Sequence, residues 1–431
     1  MDIKETIQTT LGFEALTRLQ KDALEAPLTQ SQIIISPTGS GKTIGFLIQI
    51  FRNLKQHNNQ KTIVLTPTRE LALQIVDVIK SLKTNFNAIA IYGGNSVERE
   101  YNQMMEGFNI LVATPGRLVD HINRGNLDNV NFHQLILDEY DKMLEIGFTN
   151  EMRFIVQNQE KWSQIILNSA TDITQLPDFV SDYTFELKDY SKESAPSITK
   201  RNIAFEHEDK LETLLDFLLS KPEGKKIIFT THRDRAEAVA TFLNDYKLPV
   251  SVFHGGLDQK ERERELLKFE HGSTMLMVCT DLGARGIDID DIEDVIHYQL
   301  AIDESADTHR NGRTGRMNAE GNVFYMVDEN KTIPDHLKGL PYFELAPITE
   351  AIVAPYKTMY LPVGKKDKIR KLDLVGFFCK TGQITNKELG KITLKDNFSF
   401  VSVVLEEAHD VKDRVDNQKL KNRKVRVSWS R

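Results

Sequence analysis

Residues 33–43 read IIISPTGSGKT: three β-branched apolar residues run straight into a turn rich in glycine and hydroxyls that ends in a lysine. The apolar stretch IGFLIQIF (44–51) follows at once. This order predicts a buried strand, a tight loop and a helix. Glycines let backbone N–H groups converge on phosphate oxygens, and the helix N-terminus adds partial positive charge. Thr38, Gly39, Ser40 and Gly41 form the cradle in such a loop, Lys42 reaches the β and γ phosphates, and the Thr43 hydroxyl ligates magnesium. Ser36 stands where the G-x-x-x-x-G-K-[ST] pattern has its first glycine.

Working outward, residues 1–195 alternate short apolar runs (IIIS, TIVLT, AIAIY, ILVAT, LILD, IIL) with helical patterns. Strands separated by helices predict a parallel sheet with crossover connections. The polar stretch KDYSKESAPSITKR reads as a linker. A second α/β series (KIIFT, VSVFH, MLMVCT, VIHYQ, NVFYMV) occupies 205–345, and APITEAIVAP bridges to a third segment, 356–431. With 431 residues and 40% hydrophobic content, two or three domains are expected. Two scattered cysteines argue against a disulfide framework or a thiolate metal site. No signal-peptide core or membrane-length apolar run is present, so a cytoplasmic protein without membrane contact is expected. The net charge of −7 is uneven: 356–431 holds 18 Lys+Arg against 9 Asp+Glu. A basic tail on an acidic body suggests an appended nucleic-acid-binding module, the alternative being a merely solvated end.

LILDEYDKML (135–144) ends an apolar run in Asp138, Glu139 and Asp141 around Tyr140. A carboxylate at the end of a buried strand is costly unless something pairs with it. Beside a phosphate loop, Asp138 can hold magnesium and Glu139 can polarise an attacking water.

GFEALTRLQ, SPTGSGKT, PTRELA, GG, TPGR, DEYD, SAT, IIFTTHR, CTDLGARGIDI and HRNGRTGR follow one another in this order between about Gly12 and Gly321. That series resembles the DEAD-box family of ATP-dependent RNA helicases, with DEYD in place of DEAD. The resemblance implies two tandem RecA-like parallel-sheet domains that use ATP and Mg²⁺. It places Gln20 at the adenine and Phe13 against the base, although prolines usual around Thr17 are absent. Asp288 is expected at the ribose. Arg313 and Arg316 are expected at the γ-phosphate, with His309 and Arg310 tying their motif to the DEYD acids. Lys42 and these arginines would lie in different domains, so ATP joins the two and hydrolysis releases them. The RNA-facing residues implied are Thr68, Arg69, Gly94, Thr114, Arg117, Thr280 and Arg285; they suit phosphates more than base edges. Ser169 and Thr171 of SAT resemble the coupling motif. Tyr140 and Asn168 depart from the family pattern, and altered coupling of hydrolysis to RNA release is expected from Tyr140.

The tail reads as strand TMYLPV, helix DKIRKLDLVGFF, strands LGKITL and FSFVSVVL, helix EEAHDVKDRVD and strand KVRVSW. This βαββαβ order matches an RNA-recognition-motif (RRM-like) fold and resembles the C-terminal module of the DbpA-like subfamily. Lys365, Lys366, Lys368 and Arg370 form a basic cluster suited to structured RNA. Tyr360, Phe398 and Phe400 are either a stacking platform or core. The subfamily resemblance implies large-subunit (23S-type) ribosomal RNA as target and ribosome assembly as process. Two scattered cysteines and the lack of extended coiled-coil heptads lead us to expect a monomer. The rival readings are an ATP-gated RNA-binding clamp or chaperone with little turnover, and a DNA helicase of similar architecture.

Overall fold

The computed structural model describes residues 3–11, 15–37, 39–57, 60–171, 176–191, 198–206, 209–284, 289, 292–315, 320–328, 330–347 and 351–430. The chain divides into two compact units: Met1–Ser197, Arg285–Asp288 and Glu304–Ala319 in the first, and Ile198–Ala284, Ile289–Asp303 and Glu320–Arg431 in the second.

The first unit is built on seven parallel strands: β1 (Ser31–Ile35), β2 (Lys61–Leu65), β3 (Ala88–Ile91), β4 (Ile110–Ala113), β5 (Phe132–Leu137), β6 (Gln164–Ser169) and β7 (Phe185–Asp189). Their order is β3-β4-β2-β5-β6-β1-β7. Side chains alternate across a strand. Accordingly Ile34, Val64, Ile136 and Ile166 enter one hydrophobic cluster with Phe46, Leu47 and Ile50 of helix Lys42–Gln56. Ile33, Ile35, Leu135, Leu137 and Leu167 enter the cluster on the opposite face. Burial on both faces explains why these strands read as unbroken apolar runs.

The second unit carries six parallel strands: β8 (Ile198–Phe205), β9 (Lys225–Thr230), β10 (Val250–Phe253), β11 (Leu276–Thr280), β12 (Ile292–His297) and β13 (Gly321–Asp328), ordered β10-β11-β9-β12-β13-β8. β7 and β8 both fall partly inside the stretch expected to be a linker. Each lies at the edge of its sheet, so charged residues such as Lys188, Lys200 and Arg201 are tolerated there and hide the strand pattern.

The tail shares the second unit. Its strands are β14 (Tyr356–Leu361), β15 (Leu389–Leu394), β16 (Ser399–Val404), β17 (Gln418–Leu420), β18 (Arg423–Val425) and β19 (Ser428–Trp429). β15-β16-β14-β19 form an antiparallel sheet, while β17 and β18 pair separately as a hairpin. The expected final strand KVRVSW is therefore split in two. Helix Lys371–Thr381 starts later than expected, because Lys368 takes a left-handed φ of 59° and Asp373 caps the Arg370 N–H at 2.7 Å. Met359, Leu361, Val401 and Val403 face the core with Leu374, Phe378 and Val411.

Candidate nucleotide and nucleic-acid site

The signature motifs of the first unit lie at the carboxyl ends of its parallel strands, where open α/β sheets bind ligands. Gly39 (φ 80°) and Gly41 (φ 87°) turn the loop after β1 through the left-handed region. At Gly41 the left-handed φ favours glycine, and a Cβ there would come 2.3 Å from Gln20 Nε2, so the Gln20 side chain would have to move. Ser36 stays outside the left-handed region and is fully buried, with its hydroxyl 2.6 Å from that of Ser40. The missing first glycine thus costs the loop nothing.

Lys42 Nζ donates to Ser36 O at 2.6 Å and lies 3.5 Å from Ser169 O. Burial lowers its ammonium pKa, while Asp138, Asp141 and Glu139 pull it back up and Arg313 adds to the lowering. Thr43 follows Lys42 in the first turn of the helix.

Gln20 is buried, and its Oε1 accepts the Thr17 N–H at 3.0 Å within a capping box. Its Nε2 donates to Gly41 O at 3.4 Å. A carboxamide has two donors and two acceptor lone pairs, so each end keeps further capacity.

Asp138 directly follows β5 and is buried, with Asn168 Nδ2 at 3.5 Å. Burial, then the neighbouring charge of Glu139, raises its pKa to about 7. Glu139 takes a left-handed conformation (φ 49°), uncommon for a residue with a Cβ and characteristic of functional turns. Two adjacent carboxylates, one of them desolvated, and the Thr43 hydroxyl in the first turn of helix Lys42–Gln56 are oxygen donors of the kind that suits a hard divalent cation. Among the described residues no cluster of three or more His, Cys, Asp or Glu could hold a metal by itself.

Asp141 links three motifs. Its Oδ2 accepts from Thr171 Oγ1 at 3.0 Å and lies 3.0 Å from His309 Nε2. Burial pushes this carboxyl up, but the hydrogen bond and charge of His309, with Lys42 and Lys142, hold it well below the carboxylate range. Ser169 Oγ donates to Thr171 O at 2.6 Å and accepts the Thr171 N–H at 3.1 Å, which closes the SAT turn. Arg310 and Arg313 are buried in the same unit. Tyr140 is wholly buried in the hydrophobic cluster with Met143 and Leu167, its hydroxyl without a hydrogen-bond partner among the described residues.

Thr68 caps helix Arg69–Ser81 through Leu71 N at 3.3 Å. Arg69 lies over Gly94, where a Cβ would come within 2.8 Å of its Nη1. Thr114 stands at the N-cap position of helix Pro115–Asn123 without a side-chain capping bond, and Arg117 Nε donates to Tyr92 O at 3.2 Å. The sequence reading missed what fixes Arg117. Glu100 is fully buried, and its carboxylate meets Arg117 Nε, His121 Nε2 and the Tyr92 N–H, each at 3.0 Å. It missed Lys142 too, whose buried ammonium pairs with Glu145 at 2.7 Å and donates to Ser305 Oγ at 3.2 Å.

In the second unit Thr280 ends β11 and its hydroxyl accepts the Gly283 N–H at 3.3 Å. Lys365, Lys366, Lys368 and Arg370 are all exposed on one bend of the tail. Lys421 and Arg423 join that face through ion pairs to Asp373 and Asp367. Phe13, Thr38, Arg285, Asp288 and Arg316 lie outside the described residues.

Three family models match the chain in order: DEAD/DEAH box helicase over residues 17–179, helicase conserved C-terminal domain over 209–318, and DbpA RNA binding domain over 358–428. The ATP-dependent RNA helicase DbpA of Bacillus subtilis is 29% identical over 97% of this chain and 95% of its own length. A probable ATP-dependent RNA helicase of Methanocaldococcus jannaschii is 34% identical over 70% of this chain and 83% of its own. A structure of Mss116p bound to single-stranded RNA and AMP-PNP superposes with a TM-score of 0.67 at 25% identity, covering 76% of this chain and 73% of that one. The chain belongs to the DEAD-box family of ATP-dependent RNA helicases, with a DbpA-type RNA-binding domain at its C-terminal end.

Proposed function

We propose that the chain hydrolyses ATP in response to RNA, separates short duplexes locally, and is directed by its tail to structured RNA of the large ribosomal subunit during ribosome assembly. The observation that carries the catalytic part is the convergence of Lys42, the DEYD acids, the SAT turn and His309 in one connected set of contacts. Lys42 binds the β and γ phosphates in place of the carbonyls it now holds. Thr43 and Asp138 would hold magnesium, which supplies charge neutralisation between the phosphates. Glu139 orients the attacking water and takes its proton. Arg313 and Arg316 stabilise charge developing on the transferred phosphoryl group. Loss of that group removes the anion they share with Lys42, which shifts the population toward RNA release. Gln20 and Phe13 favour adenine, and Asp288 the ribose. Thr68, Arg69, Gly94, Thr114, Arg117, Thr280 and Arg285 hold the RNA backbone, so binding is sequence-independent. Ser169 and Thr171, with Asp141, couple the two events.

The target rests on the tail. The match to a DbpA RNA binding domain and the exposed cluster of Lys365, Lys366, Lys368 and Arg370 support recognition of structured RNA. We assign the protein as a cytoplasmic monomer; among the described residues no helix is long and apolar enough to cross a membrane. The test is ATP hydrolysis without nucleic acid and with generic RNA, DNA or large-subunit ribosomal RNA fragments. Ribosomal fragments are expected to stimulate well above generic RNA, and DNA not at all. Equal stimulation by all three would refute the targeting.

A further inference from the structure

The middle of the first sheet runs in the order β5-β6-β1, so β6 stands between the strand that leads to the DEYD acids and the strand that leads to the phosphate loop. The last residues of β6 are therefore flanked by both parts of the site. β5 and β6 are in register at Leu137 and Leu167, which brings the next pair, Asp138 and Asn168, side by side. On its other flank Asn168 pairs with Ile34 of β1. Ile136 and Ile166 enter the apolar cluster shared with helix Lys42–Gln56. Two residues further along each strand, the same alternation places Asp138 and Asn168 on that face. It is the face covered by the helix that opens with Lys42 and Thr43.

Asn168 is 1% exposed, in a place that an apolar side chain of the same size would fill. The two ends of its carboxamide fare differently. Nδ2 donates to Asp138 Oδ1 at 3.5 Å. Oδ1 is buried and has no hydrogen-bond partner among the described residues. Other polar groups of the site are satisfied: the Ser36 hydroxyl by that of Ser40, and Lys42 by the carbonyls of Ser36 and Ser169. A buried carbonyl without a donor is costly, and a native structure that keeps one calls for a water, an ion or a part in the chemistry. Magnesium held by a carboxylate retains several of its waters. Each such water spends its lone pair on the ion and offers its hydrogens outward. Resting on the reading of Asp138 as a magnesium ligand, we propose that Asn168 is a positioning residue of the metal site. Its Nδ2 holds the Asp138 carboxylate in place, and its Oδ1 accepts a hydrogen from a water of the hydrated cation. The role is particular to this chain, because Asn168 departs from the family pattern. An apolar residue at 168 would leave the carboxylate free to turn and the water without its acceptor.

The test is equilibrium binding of the fluorescent analogue mant-ATP to the full chain without RNA, once with magnesium and once with EDTA. Asn168→Leu replaces the amide by an apolar side chain of similar shape, and Asn168→Val is smaller and suits a strand. Thermal melts without nucleotide show which variants keep the fold. A folded variant is expected to bind mant-ATP like wild type in EDTA and about 10-fold more weakly with magnesium, the scale on which losing a partner of a metal ligand acts. An equal loss in both buffers, or failure of both variants to fold, would mark a merely structural residue and overturn the proposal. So would affinity unchanged in both buffers. The wild type separates the two levels. If magnesium tightens its binding and tightens that of the variants as much, Asn168 alone is dismissed. If magnesium leaves wild-type affinity unchanged, the assignment of Asp138 to the metal fails, and this inference with it.

Discussion

Asp138 shows how a single buried side chain can lower stability. Its carboxyl titrates near 3.8 in an ordinary setting and at about 7 here, so folding takes up a proton between those values. The sign follows: below about pH 4 both states are protonated and nothing is lost. As pH rises toward 7 the folded state must keep a desolvated acid that the unfolded chain would ionise, and stability falls by up to about 4 kcal/mol. In nucleotide-free protein, Asp138→Asn is therefore expected to melt above wild type at pH 8, with the gap closing toward pH 4. A variant melting lower at pH 8 would contradict this origin of the shift. Tyr140 makes a second case. Among the described residues its buried hydroxyl has no partner, so Tyr140→Phe is expected to gain about 1 kcal/mol in a denaturant titration. An alanine there empties core volume and is expected to cost about 3 kcal/mol, so its effect on coupling must be read with stability measured alongside. The placement of Lys42 and Asp138 just past the ends of buried strands was legible because each follows an unbroken apolar run in the sequence. The inward turn of Tyr140 was not, because nothing local says which way a residue at a strand-to-helix turn points.

At the scale of elements, the apolar runs predicted most strands, since burial on both faces leaves each one uninterrupted. The strands that went unread, β7, β8 and β17, are edge or hairpin strands whose charged residues resemble loop. The network of Glu100, Arg117 and His121 was equally hidden: its members come from two helices that meet only once β3 and β4 have paired. Glu100→Gln leaves Arg117 and His121 buried without their shared carboxylate. It is expected to cost about 3 kcal/mol in stability and to raise the RNA concentration needed for half-maximal ATPase stimulation. A variant with unchanged RNA dependence would show that Arg117 needs no such anchor.

At the scale of the whole molecule, the basic tail was visible in composition, but its docking against helix Gln259–Glu270 and the turn that follows it was not. That docking runs through His271, Gly272 and Ser273 and through the pairs Lys391–Glu270 and Lys395–Glu263. Burial, with the charges of Lys391, Lys225 and Lys371, lowers the His271 pKa to about 3. The unfolded chain therefore binds a proton here that the folded chain refuses. The resulting loss is absent above about pH 6.5 and grows as pH falls, reaching roughly 2 kcal/mol at pH 5. His271→Gln is expected to flatten this acid loss in thermal melts, and an unchanged acid slope would remove His271 as its cause. Above all else, the molecule is read as a grip on a triphosphate, with Glu139 aimed at the water that cleaves it. The most direct measurement is RNA-stimulated ATP turnover and ATP-dependent RNA retention by Glu139→Gln beside wild type. Turnover is expected to fall by about 10²- to 10⁴-fold while RNA stays bound in the presence of ATP; a variant that hydrolyses ATP at the normal rate would contradict it.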